Sequence, residues 1–142
     1  MKRLVLRMLV LTAFLSLSSG ASAQDYFSGR FTQTSGEAIF KNICQGCHMA
    51  NAQGAIGAGR YPALAANAKL VEPGYPVMIV MNGNKAMPAF GPDLDDVQIA
   101  NVVNYIRTHF GNRYTDTVTP AFVASARPAG MKVAAAKVKE HH

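Results

Sequence analysis

Residues 42–54 read NICQGCHMANAQG. They hold both cysteines of a 142-residue chain, separated by two residues, with His48 directly after the second. No other feature restricts the fold as much, because a C-x-x-C-H run has few chemical uses. A structural zinc site needs four ligands, mostly cysteine and histidine. Beside Cys44, Cys47 and His48 the chain offers only His109, His141 and His142, none at finger-like spacing. A thioredoxin-type dithiol should follow a strand and open a helix. Here the preceding SGEAIFKNI has a helical pattern, and a redox dithiol leaves the histidine without a task. A disulfide closing so short a loop would remove little chain entropy, because the gain grows with loop length.

The fourth use, covalent c-type haem attachment, occupies all three residues. Each S–H adds across one vinyl group on the same porphyrin edge, so the thiols must lie about one helical turn apart. The next residue then falls beneath the iron and offers an imidazole nitrogen. The motif thus points to one haem c, bound by Cys44 and Cys47 and ligated by His48. The other axial position decides the chemistry. Open iron binds gases or peroxide, whereas a thioether restricts it to electron transfer and raises the potential. Met49 adjoins His48 and cannot reach the far face, Met78 and Met81 lie in the helix-like apolar YPVMIVMNG and read as core, and Met131 falls in the tail. Met87 stands in NGNKAMPAFG, where Gly83, Pro88 and Gly91 predict a loop. Met87 is the candidate second iron ligand.

The N-terminus reads as a removable leader. Lys2, Arg3 and Arg7 precede the apolar run MLVLTAFLSL, and SSGASA ends on small residues, which predicts a secretory signal peptide over 1–23, cut after Ala23. Ten apolar residues are too few to span a bilayer, which takes about 20, and no membrane span is expected in the mature chain. The formal charge of +6 changes meaning with export. Residues 24–126 carry seven Lys/Arg against seven Asp/Glu, and the remaining excess (Arg127, Lys132, Lys137, Lys139 against Glu140) sits in the last residues. A nucleic-acid function has no basic face to stand on.

Hydrophobic spacing predicts helices and no strands. A first helix over 35–43 carries Ile39, Phe40 and Ile43 on one face. Residues 45–64 are glycine-rich and aperiodic, a loop. Short helices are expected over 64–70 and 75–81, the latter stopped at Asn82-Gly83. A last helix starts near Asp95, with Gln98 completing a capping box and Ile99, Val102, Val103 and Ile106 forming the apolar stripe, and it ends at Gly111. The expected organisation is a domain over 24–113, an extended arm over 114–127 and a disordered tail over 128–142.

The residues now in view resemble a small class I (mitochondrial-type) bacterial cytochrome c. Gly36 and Phe40, four and eight residues before Cys44, match the family's first helix, and Val102 and Tyr105 match its partner helix. Pro62 stands fourteen residues after His48, where the family's proline offers its carbonyl to the second ring nitrogen of the ligand histidine. MPAFG, DLDDVQIANVVNYIRTHFG and, more weakly, VTPAFVAS are similar to cytochrome subunits of bacterial periplasmic dehydrogenases. The resemblance implies an all-α fold of three to four helices around one covalent haem, and a periplasmic electron carrier rather than an enzyme. The implied donor is a flavoprotein or quinoprotein dehydrogenase, and the implied acceptor a terminal oxidase or another cytochrome. An integral dehydrogenase subunit is the alternative; a haem enzyme or gas sensor would require Met87 not to bind.

Overall fold

The computed structural model describes residues 31–57 and 59–133. The leader expected over 1–23 and the tail beyond 133 lie outside them. Helix α1 (Gly36–Ile39) opens at Ser35, whose side chain accepts from the Ala38 amide at 3.2 Å. The rod does not stop near residue 43 as expected. It widens into a π-helical turn (Phe40–Cys44) and runs on as α2 (Gln45–His48), carrying the whole attachment motif on helix. A single wide turn of this kind rephases the side chains that follow it, and such turns favour functional sites.

Two short strands, β1 (Ala55–Ile56) and β2 (Arg60–Tyr61), pair antiparallel with Ala55 opposite Tyr61 and Ile56 opposite Arg60. None was expected, because none of the four residues is buried and no alternation marks them. The segment expected as a helix over 64–70 is instead a 3₁₀ turn at Ala68–Val71, capped by the Asn67 side chain, which accepts from the Lys69 amide. Helix α3 (Gly74–Asn82) ends at Gly83, whose φ of 71° is one that glycine adopts without strain.

Helix α4 (Asp96–Thr108) is the spine, packed on α1, α3 and the last helix. Both hydrogen bonds of the Asp95/Gln98 capping box are present, and Ile99, Val102, Val103 and Ile106 are all buried, as the spacing predicted. It ends three residues before Gly111, because Phe110 and Gly111 both take left-handed φ, 56° and 83°. The crossing with α1 is close. A Cβ on Gly36 would collide with the carbonyl of Asn101 and lie 2.7 Å from the Tyr105 Cβ. Phe40 fills the space beside this crossing, its ring 5.8 Å from Tyr105 and 4.7 Å from Phe110.

The segment expected as an extended arm contains a helix, α5 (Pro120–Ala126). Thr119 caps it by accepting from the Phe122 amide, Pro120 opens it, and Val123 is fully buried. With one buried apolar residue the helix offers little periodic signal, so its evidence in sequence is the Thr-Pro start alone. The link before α5 is pinned by Asn104, which donates to the Val118 carbonyl and accepts its amide. Arg127 is not a loose tail charge. It pairs with Asp96 at 2.7 Å and donates to the carbonyls of Gly91 and Leu94. Met131, expected in a disordered tail, packs against the core beside Gly91.

Candidate functional site

The π turn delivers Cys44 and α2 delivers Cys47 and His48, so the motif residues stand about one helical turn apart on a single rod. The two cysteines are not bridged to each other. Burial pushes the Cys44 thiol up to about 12, with the charge of Cys47 adding to it. A thiol held protonated in this way is a poor redox nucleophile. Together with the helix, rather than strand, that precedes it, this argues against a thioredoxin-type dithiol.

His48 is buried, and its Nδ1 lies 2.9 Å from the Pro62 carbonyl. A carbonyl only accepts, so this contact places the proton on Nδ1 and leaves the Nε2 lone pair for a metal. The loop that brings Pro62 back is set by its own backbone. Met49 ends α2 at φ 65°, the Gly54 amide donates to the His48 carbonyl at 3.0 Å, and Leu64 and Ala65 both donate to the Ala52 carbonyl. Gly54, at φ 67°, has no room for a side chain, because a Cβ would strike the Tyr61 carbonyl and approach Pro62 to 2.8 Å. The sequence there reads only as a glycine-rich loop, which does not mark Gly54 as the residue that makes room for Tyr61 and Pro62 beside His48.

His48 and Cys44 form part of the lining of an open cleft. Leu64, Leu70, Val80 and Ile106 make much of its wall, and Met87 lines it too. Met87 sits in a turn closed by two hydrogen bonds with Asn84, at 2.9 and 3.0 Å. The loop is tied down on its far side, where Phe90 and Gly91 donate to the Val80 and Met81 carbonyls. The structure therefore brings Cys44, His48, Pro62 and Met87 to one cleft, with Cys47 exposed at the attachment motif. Met81 is fully buried as expected, but Met78, expected in the core, is 45% exposed on the outer side of α3.

Two polar residues that hold the cleft wall carried no functional signal in sequence. Asn112 is buried, donates to the carbonyls of Leu64 and Ile106, and accepts from the Asn67 amide. Arg107, in the last turn of α4, is fully buried. It donates to the carbonyls of Leu70 (2.9 Å), Val71 (3.0 Å) and Asp116, and pairs with the Asp116 carboxylate at 2.6 Å.

The donor set fits haem c. Two thiols at C-x-x-C spacing, an imidazole already oriented by a carbonyl and an apolar cleft beside them match a flat apolar macrocycle with one iron. Among the described residues, no group of three or more His, Cys, Asp or Glu side chains could hold a bare metal ion, and no helix is long and apolar enough to cross a membrane.

Comparison with known proteins agrees. Residues 31–106, more than half of the chain, match the family model described as cytochrome C oxidase, cbb3-type, subunit III. The chain is 32% identical over 120 residues to the fructose dehydrogenase cytochrome subunit of Gluconobacter japonicus, covering 74% of this chain and 24% of that protein. It is 33% identical over 119 residues to the cytochrome c subunit of the quinone-type alcohol dehydrogenase of Gluconacetobacter polyoxogenes, covering 75% and 25%. It is also 34% identical over 79 residues to cytochrome c6 of Diacronema lutheri, covering 54% of this chain and 94% of that one. The chain thus spans about a quarter of the length of the dehydrogenase subunits it matches. With the attachment motif on its helix, the oriented His48 and these matches together, the chain belongs to the c-type cytochrome family that the model describes.

Proposed function

We propose that the chain is an exported one-electron carrier in which His48 and Met87 are the two axial ligands of a single haem c. The observation that carries the reading is that His48, its Nδ1 engaged by the Pro62 carbonyl, and Met87 line the same apolar cleft. Haem c, when bound, supplies a single iron that moves between ferric and ferrous states. The chain's residues do the rest. Cys44 and Cys47 would fix the macrocycle, Pro62 holds the His48 ring, the aliphatic wall would exclude water, and the tied loop would present the Met87 sulfur to the iron. A thioether favours the reduced iron, so the Met/His pair sets a raised potential.

The donor is a periplasmic flavoprotein or quinoprotein dehydrogenase, and the acceptor a terminal oxidase or another cytochrome. The named relatives are subunits of fructose and alcohol dehydrogenases, and their likeness covers about three quarters of this chain. That extent favours a second form of the same reading, in which the chain is a fixed part of such a complex. Docking uses the exposed rim at Gly46 and Cys47 and the exposed Ala86, Pro88 and Ala89 of the Met87 loop. A contact this small suits electron-transfer encounters, which sit at the low end of interface size.

Oxidised and reduced absorption spectra, extended into the far red, test the ligand pair. A weak methionine-to-ferric band that disappears in Met87→Ala, with haem still attached, is the expected result. A high-spin ferric spectrum in the unaltered protein, with rapid carbon monoxide binding when reduced, would overturn it in favour of an enzyme or sensor. Co-purification with a larger dehydrogenase separates the fixed subunit from the free shuttle.

A further inference from the structure

Arg107 is the one fully buried charged side chain among the described residues, and nothing in ligand binding accounts for it. Its place is unusual for a cation. The neighbouring residue on α4, Ile106, lines the haem cleft, and Leu70, whose carbonyl takes the Arg107 Nε–H at 2.9 Å, lines it as well. The guanidinium therefore sits one residue behind the cleft wall. Its counter-charge faces water. The Asp116 carboxylate pairs with it at 2.6 Å, but the Asp116 side chain is 59% exposed, whereas that of Arg107 is 1% exposed. The Tyr114 ring centroid lies 5.5 Å from the guanidinium carbon.

This asymmetry has an electrostatic consequence. A charge behind a dry wall acts through an effective dielectric constant of about 20, whereas one in contact with water acts through a value nearer about 80. Salt screens the exposed partner further. The two charges are equal, but their fields in the cleft are not, and the cation's prevails. A net positive field favours the iron state of lower charge.

We infer that the Arg107–Asp116 pair tunes the haem: Arg107 raises its reduction potential and Asp116 partly offsets that rise. The inference rests on haem c in the cleft and holds whichever residue supplies the second ligand. A purely architectural role makes a different forecast. If the pair only braced the 3₁₀ turn against α4, weakening either member would loosen the wall, admit water and move the potential down in both cases. The field makes the two members move it in opposite directions.

The test is a spectroelectrochemical titration of the haem-loaded protein and three variants. Asp116→Asn should raise the potential, by an amount that shrinks as salt is added, because that site faces water. Arg107→Gln should lower it. Arg107→Lys, which keeps the charge and loses part of the hydrogen-bond set, should stay near the unaltered protein. An Asp116→Asn potential that is unchanged or lower overturns the inference, as does Arg107→Lys falling as far as Arg107→Gln. If Arg107→Gln fails to mature, the other two variants still decide. The far-red band is recorded alongside, so that a change of ligand is read separately from a change of field, and a failure of the Met87 assignment is not mistaken for a failure of this one.

Discussion

Gly36→Ala adds one methyl group at the close crossing of α1 and α4. The new Cβ would lie 2.7 Å from the Tyr105 Cβ and 2.8 Å from the Asn101 carbonyl carbon, and would collide outright with the Asn101 oxygen. Two of these obstacles are backbone and the third is a Cβ, so no rotamer change relieves them, and α1 must move off α4. Overpacking of this kind costs about 1–3 kcal/mol, and rigid neighbours put this site toward the upper end. Alanine returns up to about 1 kcal/mol in helix propensity. The net expectation is a loss of about 2 kcal/mol, which for a domain of this size lowers Tm by about 10 °C. The control is Gly46→Ala on α2, where an added Cβ meets nothing within 4 Å. No protein contact opposes the change there, so stability should be unchanged or rise by up to about 1 kcal/mol. Thermal unfolding of both haem-loaded variants, followed by far-ultraviolet dichroism, measures the pair. A Gly36→Ala protein as stable as the parent, or two variants that shift together, would refute the close-crossing argument.

Asn112→Ala should cost about 2–4 kcal/mol in denaturant unfolding, because it strands the Leu64 and Ile106 carbonyls and the Asn67 amide. Asn112→Asp should not rescue it, since a carboxylate faces two carbonyls. Arg127→Ala frees the Gly91 and Leu94 carbonyls beside the Met87 loop, so exogenous imidazole should displace the native ligand faster while haem stays attached. Met87→Ala should lower the potential in a redox titration and open the iron to carbon monoxide, whereas Pro62→Ala should move the potential less, only the position of a carbonyl being at stake. The Cys44→Ala/Cys47→Ala chain should lack a native-like near-ultraviolet dichroism spectrum, because the cleft wall has no apolar partner without haem.

Sequence alone determined the chemistry of the site and the start of α4. Cys44, Cys47 and His48 are contiguous, so their joint meaning needs no tertiary contact. The α1–α4 pair was expected from the family resemblance that Gly36 and Phe40 on one helix and Val102 and Tyr105 on the other carry, and the close approach at Gly36 agrees with it. Likewise the capping box of α4 is a local device, written within four residues.

The tertiary structure decided what depends on distant chain segments meeting. That the rod continues through a π turn into the motif, and that 55–61 form a small ladder, follows from how the loop folds back on Ala52 and Gly54, not from any periodicity. Buried Arg107 and Asn112 look like ordinary polar residues at a helix end until the carbonyls of Leu64, Leu70 and Asp116 are brought to them. A buried polar side chain is tolerated only where it is satisfied, and the partners here lie 6 to 48 residues away along the chain. Motifs can be read from a string because their atoms are bonded in sequence; hydrogen-bond satisfaction cannot, because it is a property of the packed whole.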